Sequence, residues 1–113
     1  MTTKKDDKKA EAQEKLMQLQ LLQQRLQVFA AQKQQLQIQQ MEVENALKEV
    51  SKTKKPVYSL IGGIMIERPI AEVKTELTNT KKDIDIKIKN LERQEKKIVS
   101  NAEEIQKEVT KIL

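Results

Sequence analysis

The chain has 113 residues, 35% of them charged, and its 22 basic residues outnumber its 17 acidic ones to give a net charge of +5. Phe29 and Tyr58 are its only aromatic residues, which argues against a compact globule with a large aromatic core. The absence of His and Cys removes the usual general base, thiol nucleophile and zinc ligands. We therefore expect one domain of long helices, with no catalytic residue, cofactor or metal site.

The start of the chain reads as a charged lead-in. Residues 1–12 mix Lys, Asp, Glu and Ala, and a single domain is expected over residues 13–113. The longest apolar run, Leu60 to Ile66, is too short to span a bilayer, and no signal-like apolar segment follows the charged start. We expect a soluble, cytoplasmic protein that does not bind membranes.

A heptad pattern predicts a first helix over about residues 10–51. Ten positions spaced alternately by three and four residues form a seam, and eight of them are apolar. They are Leu19, Leu22, Leu26, Phe29, Lys33, Leu36, Gln40, Val43, Leu47 and Val50. Pro56 ends the helix, because proline disfavours helical geometry at the residue before it. A seam of this kind requires a partner helix.

Two runs rich in β-forming residues flank Gly62 and Gly63 and predict a hairpin over residues 56–67. A type I′ turn needs positive φ at both central residues, which glycine permits. The apolar residues occupy both phases of the strand alternation, with Tyr58, Leu60, Ile64 and Ile66 in one phase and Val57, Ile61 and Met65 in the other. Because an isolated hairpin is barely stable in water, we expect these residues to form an intermolecular sheet or barrel with other chains.

A second heptad pattern predicts a helix over about residues 69–113, with Pro69 in its first turn. Its seam consists of Ile70, Val73, Leu77, Thr80, Ile84, Ile88, Leu91, Glu95, Ile98, Ala102, Ile105, Val109 and Ile112. Two consecutive four-residue steps between Thr80 and Ile88 form a stutter, which locally unwinds a supercoil. These positions pair with the first seam in reverse order, for example Leu36 with Ile84. The fold class is therefore mainly α, a long antiparallel two-helix coiled coil joined by one β-hairpin.

Polar residues interrupt the seam midway along both helices. Reverse pairing places Gln40 opposite Thr80 and Lys33 near Ile88. A polar layer in a coiled coil costs stability but penalises slipped registers. We interpret these layers as register control.

The hairpin string Val57-Tyr58-x-Leu60-Ile61-Gly62-x-Ile64-Met65-Ile66 and the later string Leu91-Glu92-Arg93-Gln94-Glu95 resemble the β class of prefoldin subunits. The resemblance covers nearly the whole chain, and one hairpin, where the α class has two, favours the β class. Gly63 departs from the family pattern, which often has Asn there. The resemblance implies a hetero-hexamer of two α and four β subunits with a double β-barrel platform and six arms. It also implies ATP-independent holding of unfolded proteins for a cytosolic group II chaperonin.

On this reading the hairpin residues Val57, Tyr58, Leu60, Ile61, Ile64, Met65 and Ile66 mediate assembly. Client proteins are expected to bind at the arm tips, where apolar residues exceed what a heptad seam needs. The predicted client-binding residues are Leu16, Met17, Leu19, Leu21, Leu22, Ile105, Val109, Ile112 and Leu113. Met17 and the leucines offer flexible side chains that repack around differing clients.

Two other functions are compatible with the sequence. A structural or tethering coiled-coil oligomer without chaperone activity needs the same heptads but no shared β-platform. A nucleic-acid-binding coiled coil is favoured by the sequence pI of about 9.4, but acidic residues alternate with the basic ones and stacking aromatics are lacking, so we expect no nucleic acid partner.

An enzyme is disfavoured, because Gly62-Gly63 lacks the Lys and Ser or Thr of a phosphate-binding loop.

Overall fold

The computed structural model describes residues 4–112, which form two helices and two strands. Helix α1 covers Lys4–Lys52, strand β1 Val57–Ile61, strand β2 Ile64–Arg68 and helix α2 Ile70–Ile112. The predicted fold class, two long helices packed antiparallel and joined by one β-hairpin, is confirmed. The barrel that the hairpin is expected to form with other chains stays a prediction.

The chain divides into two compact units. The terminal unit consists of Met1–Lys33 and Asn90–Leu113, of which residues 4–33 and 90–112 are described. The hairpin unit consists of Gln34–Lys89 and contains both strands. Each unit therefore has its own stretch of α1 and of α2, and its own packing between them.

Helix α1 begins at Lys4, earlier than the start near residue 10 that the heptads indicate. The Lys, Ala and Glu residues of this segment have high helix propensity. Asp6 and Asp7 lie in the first turn, where negative charge interacts favourably with the positive end of the helix dipole. The charged lead-in is thus helical from residue 4 onward.

Local hydrogen bonds stabilise the connection between α1 and β1. The Thr53 amide donates to the Glu49 carbonyl at 3.0 Å, which adds a last helical bond after Lys52. The Lys55 amide then donates to the Thr53 hydroxyl oxygen at 3.2 Å. Pro56 follows, so the chain turns away from helical geometry and enters the hairpin.

Strands β1 and β2 form an antiparallel pair in which Leu60 lies opposite Met65 and Ile61 opposite Ile64. Gly62 and Gly63 alone make the turn, with φ of 57° and 79°. Positive φ at both positions is what a type I′ turn requires, and this conformation strains any residue with a Cβ. The predicted two-glycine turn with positive φ at both residues is confirmed.

Helix α2 starts directly after the hairpin. The carbonyl of Pro69 accepts a hydrogen bond from the Val73 amide at 3.1 Å, so Pro69 supplies the first carbonyl of the helical ladder. Proline suits this position because its fixed φ is helical and its missing N–H would have had no partner there. Only Pro69 separates β2 from α2, so a single residue connects the hairpin to the helix.

In the terminal unit the two helices pack antiparallel around a small apolar core. Its buried side chains are Ala12, Ile98 and Val109. Lys15 forms a hydrogen-bonded ion pair with Glu108, and Lys33 Nζ lies 2.9 Å from Glu95 Oε1. The residue number of the α2 partner falls as that of the α1 partner rises, which defines the antiparallel direction.

The hairpin unit repeats this arrangement with different residues. Its buried apolar side chains are Val50, Ile84 and Ile88. Gln40 donates from Nε2 to Asp85 Oδ1 at 2.5 Å, and Lys81 Nζ lies 3.6 Å from Glu44 Oε1. The helices of this unit are therefore antiparallel as well.

The predicted seam is buried or half-buried at every α1 position and at every α2 position except Thr80. Thr80 is exposed, and its hydroxyl donates to the Glu76 carbonyl of its own helix at 2.9 Å. Lys81 takes the half-buried place between Leu77 and Ile84. The two consecutive four-residue steps therefore join Val73, Leu77 and Lys81, so the stutter lies earlier in α2 than expected, and the long Lys81 side chain reaches Glu44 while its stem covers the seam.

The partners of the polar seam residues differ from the expected ones. Lys33 pairs with Glu95 and Gln40 bonds to Asp85, whereas the heptad pairing predicts Ile88 and Thr80 as their neighbours. In each case the polar residue finds a charged or hydrogen-bonding partner further along α2. A half-buried polar group is costly unless it is paired, which favours these contacts.

Candidate functional site

The hairpin is the most exposed apolar surface of the hairpin unit. Leu60 is 74% exposed, Met65 68% and Ile64 66%. Of the predicted assembly residues, only Val57 is half-buried, and the exposed ones are Tyr58, Leu60, Ile61, Ile64, Met65 and Ile66. Contiguous exposed apolar residues of this kind mark interaction sites.

The strand register assigns these residues to two faces. Residues directly opposite each other in an antiparallel pair point to the same face. Met65 lies opposite Leu60 and therefore shares a face with Tyr58, whereas Ile64 and Ile66 belong to the other face. The expected grouping of Ile64 and Ile66 with Tyr58 and Leu60 is wrong, because the two-residue turn shifts the phase of the second strand.

We call the two surfaces the open face and the base face. The open face carries Tyr58, Leu60, Met65 and Glu67, all of them exposed. The base face carries Val57, Ser59, Ile61, Ile64, Ile66 and Arg68. Its half-buried members are Val57, Ser59 and Arg68, at the end of the hairpin that adjoins the helices. The open face has no such cover from the described chain.

Both strands also have free edges. The described sheet contains only β1 and β2, so each strand pairs on one side and leaves backbone N–H and C=O groups on its other side without a strand partner. An unpaired edge is a template for a further strand. The hairpin therefore offers directional hydrogen bonds together with apolar side chains.

Arg68 forms a cluster at the base of the hairpin. Its Nη1 lies 2.9 Å from Glu76 Oε2, and its Nη2 lies 2.6 Å from Glu72 Oε1. Nη1 also donates to the Ser59 hydroxyl oxygen at 3.5 Å. Hydrogen bonds from Arg68 hold the pKa of Glu76 below its ordinary value, and the two carboxylates raise the pKa of Arg68. This cluster was not foreseen from the sequence: Glu72 and Glu76 follow Arg68 by four and eight residues, but Arg68 lies on β2 and not in α2, so helical spacing alone does not predict the contact.

In the terminal unit the predicted client-binding residues fall into three groups. The exposed ones are Leu16, Met17 and Leu21. The half-buried ones are Leu19, Leu22, Ile105 and Ile112. Val109 is only 3% exposed, so it lies in the core beneath this surface rather than on it. Leu113 lies outside the described residues.

A shallow groove runs between the two helices of the terminal unit. It is lined by α1 residues between Gln18 and Phe29 and by α2 residues between Gln94 and Glu108. Its apolar side chains are Leu21, Leu22, Val28, Phe29, Ile98 and Ile105. Val28 is 54% exposed and was missed from the sequence, although it follows Leu21 by one heptad and so lies on the same side of α1.

The described residues hold no cluster of three or more acidic, His or Cys side chains that could bind a metal ion. Within residues 4–112, neither helix contains a stretch long and apolar enough to cross a membrane.

A family model described as prefoldin subunit matches residues 13–113. The chain belongs to the prefoldin family. Among relatives of this prefoldin chain, prefoldin subunit beta of Archaeoglobus fulgidus is 35% identical over 105 residues, covering 91% of this chain and 90% of that protein. Prefoldin subunit beta of Methanothrix thermoacetophila is 33% identical, again over 105 residues, covering 91% of this chain and 88% of that protein.

The fold of this prefoldin chain is also similar to a solved structure. The crystal structure of the prefoldin beta subunit from Thermococcus strain KS-1 matches with a TM-score of 0.86 and 28% identity, covering 91% of this chain and 92% of that one. The predicted membership of the β class is confirmed by these relatives. The prefoldin family consists of non-enzymatic chaperone subunits, so the chain is a chaperone subunit.

Proposed function

We propose that this prefoldin chain is one of four β-class subunits that assemble with two α-class subunits into a hetero-hexamer. The observation that carries the proposal is the hairpin, which exposes six apolar side chains and two free strand edges. A two-stranded sheet with this surface gains stability when strands of other chains pair with it. The shared strands then form the platform from which the helical arms project.

We further propose that the hexamer holds unfolded client proteins on the terminal units. Leu16, Met17 and Leu21 support this, because they are exposed apolar residues that the helix pair does not use. The half-buried Leu19, Leu22, Ile105 and Ile112 adjoin them, and Val109 supports them from the core. Leu113 belongs to the same proposed surface. Side chains of this kind bind many sequences because they have no directional requirement.

The held client is then delivered to a cytosolic group II chaperonin, and the proposed location of the chain is accordingly the cytoplasm. Neither holding nor release by this subunit uses ATP. The resemblance of the hairpin and Leu-Glu-Arg-Gln-Glu strings to the family supports these steps. No cofactor takes part.

The test is suppression of client aggregation by the assembled complex, without nucleotide. A chemically denatured model client is diluted into buffer, and its light scattering is followed with and without the complex. The triple substitution of Leu16, Met17 and Leu21 by Ser should abolish most of the protection while leaving the oligomer mass unchanged. Removal of exposed apolar area lowers the affinity for apolar segments.

The hairpin unit provides a matched control. Ile38, Met41 and Ile86 are also exposed, at 48%, 62% and 57%, and their triple substitution by Ser should leave protection intact. Equal loss in both triple variants would contradict a client site in the terminal unit. A correctly assembled complex that never protects a client would instead indicate the structural tether.

A further inference from the structure

The hairpin has little apolar contact with the rest of its chain. Among its ten strand residues only Val57, Ser59 and Arg68 are half-buried, and all three lie on the base face. The remaining strand residues are exposed. Apolar packing therefore does little to determine the angle between the hairpin and the helices, so another interaction has to determine it.

Arg68 makes contacts that can determine the angle between the hairpin and α2. It is the last residue of β2, and its guanidinium group contacts Glu76 through both of its terminal nitrogens, at 2.9 Å and 2.5 Å. A planar guanidinium that meets a carboxylate with two nitrogens is held in position and in orientation. Glu72, one helical turn before Glu76, accepts a further hydrogen bond at 2.6 Å.

The same guanidinium reaches the other strand. Its Nη1 donates to the Ser59 hydroxyl oxygen on β1, so one side chain joins β1, β2 and the first two turns of α2. The Arg68 side chain is only 18% exposed, so its neighbours cover most of its surface. The contacts fall on the base face, opposite to Tyr58, Leu60 and Met65.

We propose that Arg68 is a positioning residue for assembly: clamped to Glu72 and Glu76, it fixes the hairpin on α2 so that the open face is presented to neighbouring subunits. This inference rests on the proposed function, in which the hairpin is the assembly surface. The side chains of Glu72 and Glu76 are 55% exposed, and ion pairs with such exposed partners add little to stability. The effect of Arg68 is therefore expected in the geometry of assembly rather than in the stability of the helices.

The first measurement is the concentration at which the subunit assembles with its α-class partner, followed by light scattering. Arg68→Ala should raise the assembly midpoint by about tenfold or more, since a hairpin with a variable angle must be ordered on binding. Arg68→Lys should also raise the assembly midpoint, because an ammonium group cannot make the two-nitrogen contact. Arg93→Ala, which removes an exposed arginine of α2, should assemble as the wild type does.

The second measurement separates positioning from folding. The chain has no cysteine, so a pair introduced at Ile64 and Lys82, both exposed, can carry spin labels for distance measurements on the unassembled subunit. We expect one narrow distance distribution in the wild type and a broad one with Arg68→Ala. The helix content should not change, and the melting temperature of the arms should change only slightly, because the ion pair is largely exposed on the carboxylate side. The charge-swapped double variant Arg68→Glu with Glu76→Arg should restore part of the assembly.

Glu76→Gln offers a second route if Arg68→Ala does not fold, because it weakens the clamp from the helix side. Unchanged assembly and an unchanged distance distribution in both variants would overturn the proposal. The double variant Leu60→Lys with Ile64→Lys distinguishes this failure from a failure of the proposed function. If that variant still assembles, the hairpin is not the assembly surface, and the proposed role of Arg68 is then wrong as well. If it does not assemble while Arg68→Ala does, only the inference about Arg68 is wrong.

Discussion

The hairpin of one unit and the stretch of α1 in the terminal unit both expose apolar side chains, but on different kinds of backbone. In the hairpin, strand edges leave N–H and C=O groups available, so a partner must align with them in register. On α1, the helix satisfies its own backbone groups, and Met17 or Leu21 offers only an apolar side chain. Directional hydrogen bonds suit one specific partner, whereas bare apolar side chains suit many. This difference agrees with the proposed assembly through the hairpin and the proposed client holding on the terminal unit.

The largest effect is expected from charging the hairpin. Leu60→Lys with Ile64→Lys places a charge on each face, and burial of an unpaired charge is prohibitive in a shared sheet. We expect complete loss of assembly with the α-class partner, measured as oligomer mass by light scattering. Circular dichroism should show that the helices persist. A hexamer of normal mass would show that the hairpin is not the assembly surface.

A core substitution in the terminal unit should act on stability and not on assembly. Ile98 is 7% exposed, and Ile98→Ala is expected to cost about 3 kcal/mol in the free energy of unfolding of the isolated subunit. Its neighbour Val99 is 43% exposed, and Val99→Ala should change that free energy by less than about 0.5 kcal/mol. Urea denaturation measures both, and equal costs would show that the seam is not buried as described.

The Lys33–Glu95 ion pair of the terminal unit should contribute less to the free energy of unfolding than Ile98 does. Lys33 and Glu95 have side chains 28% and 20% exposed, and a pair of this kind contributes at most about 1 kcal/mol. A double-mutant cycle with Lys33→Ala and Glu95→Ala measures the coupling in the isolated subunit. We expect a favourable coupling of about 0.2–1 kcal/mol, and a coupling of zero or of opposite sign would contradict this prediction.

The smallest effect concerns pH and the hairpin unit. The pKa of Glu76 is held below its ordinary value by hydrogen bonds from Arg68. A lowered pKa in the folded state contributes stability that is fully present above the unfolded-state pKa and is lost as the pH falls through the folded-state value. Thermal melts of the wild type and of Glu76→Gln should therefore differ at neutral pH and converge in acid. Glu92→Gln, at an exposed position of α2, should follow the wild type throughout.

Much of the fold follows from local patterns. The three- and four-residue spacing identified both helices and nearly every seam position, because the helix period determines which residues share a face. Gly62 and Gly63 identified the turn, since two consecutive positive φ values are accessible to few residues other than glycine. Both signals lie within a few residues of each other and need no knowledge of the rest of the chain.

The candidate site was only partly predictable. The exposure of Leu60 and Met65 follows from a hairpin that has too little chain around it to be covered. Val109 is a seam position, so its burial follows from the heptad pattern, whereas its assignment to the client-binding surface does not agree with that burial. The exposure of Val28 was missed, because the extent of the groove between the two helices is defined only once they are packed together.

The sequence by itself determined the two helices, the hairpin between them and the antiparallel pairing, because each rests on residue periodicity or on the conformational range of one residue type. Only the tertiary structure decided which polar residues meet: Lys33 with Glu95, Gln40 with Asp85, and Arg68 with Glu72 and Glu76. Long side chains reach several positions on a neighbouring element, and the partner that desolvation and hydrogen bonding favour is defined only once the backbones have been brought together.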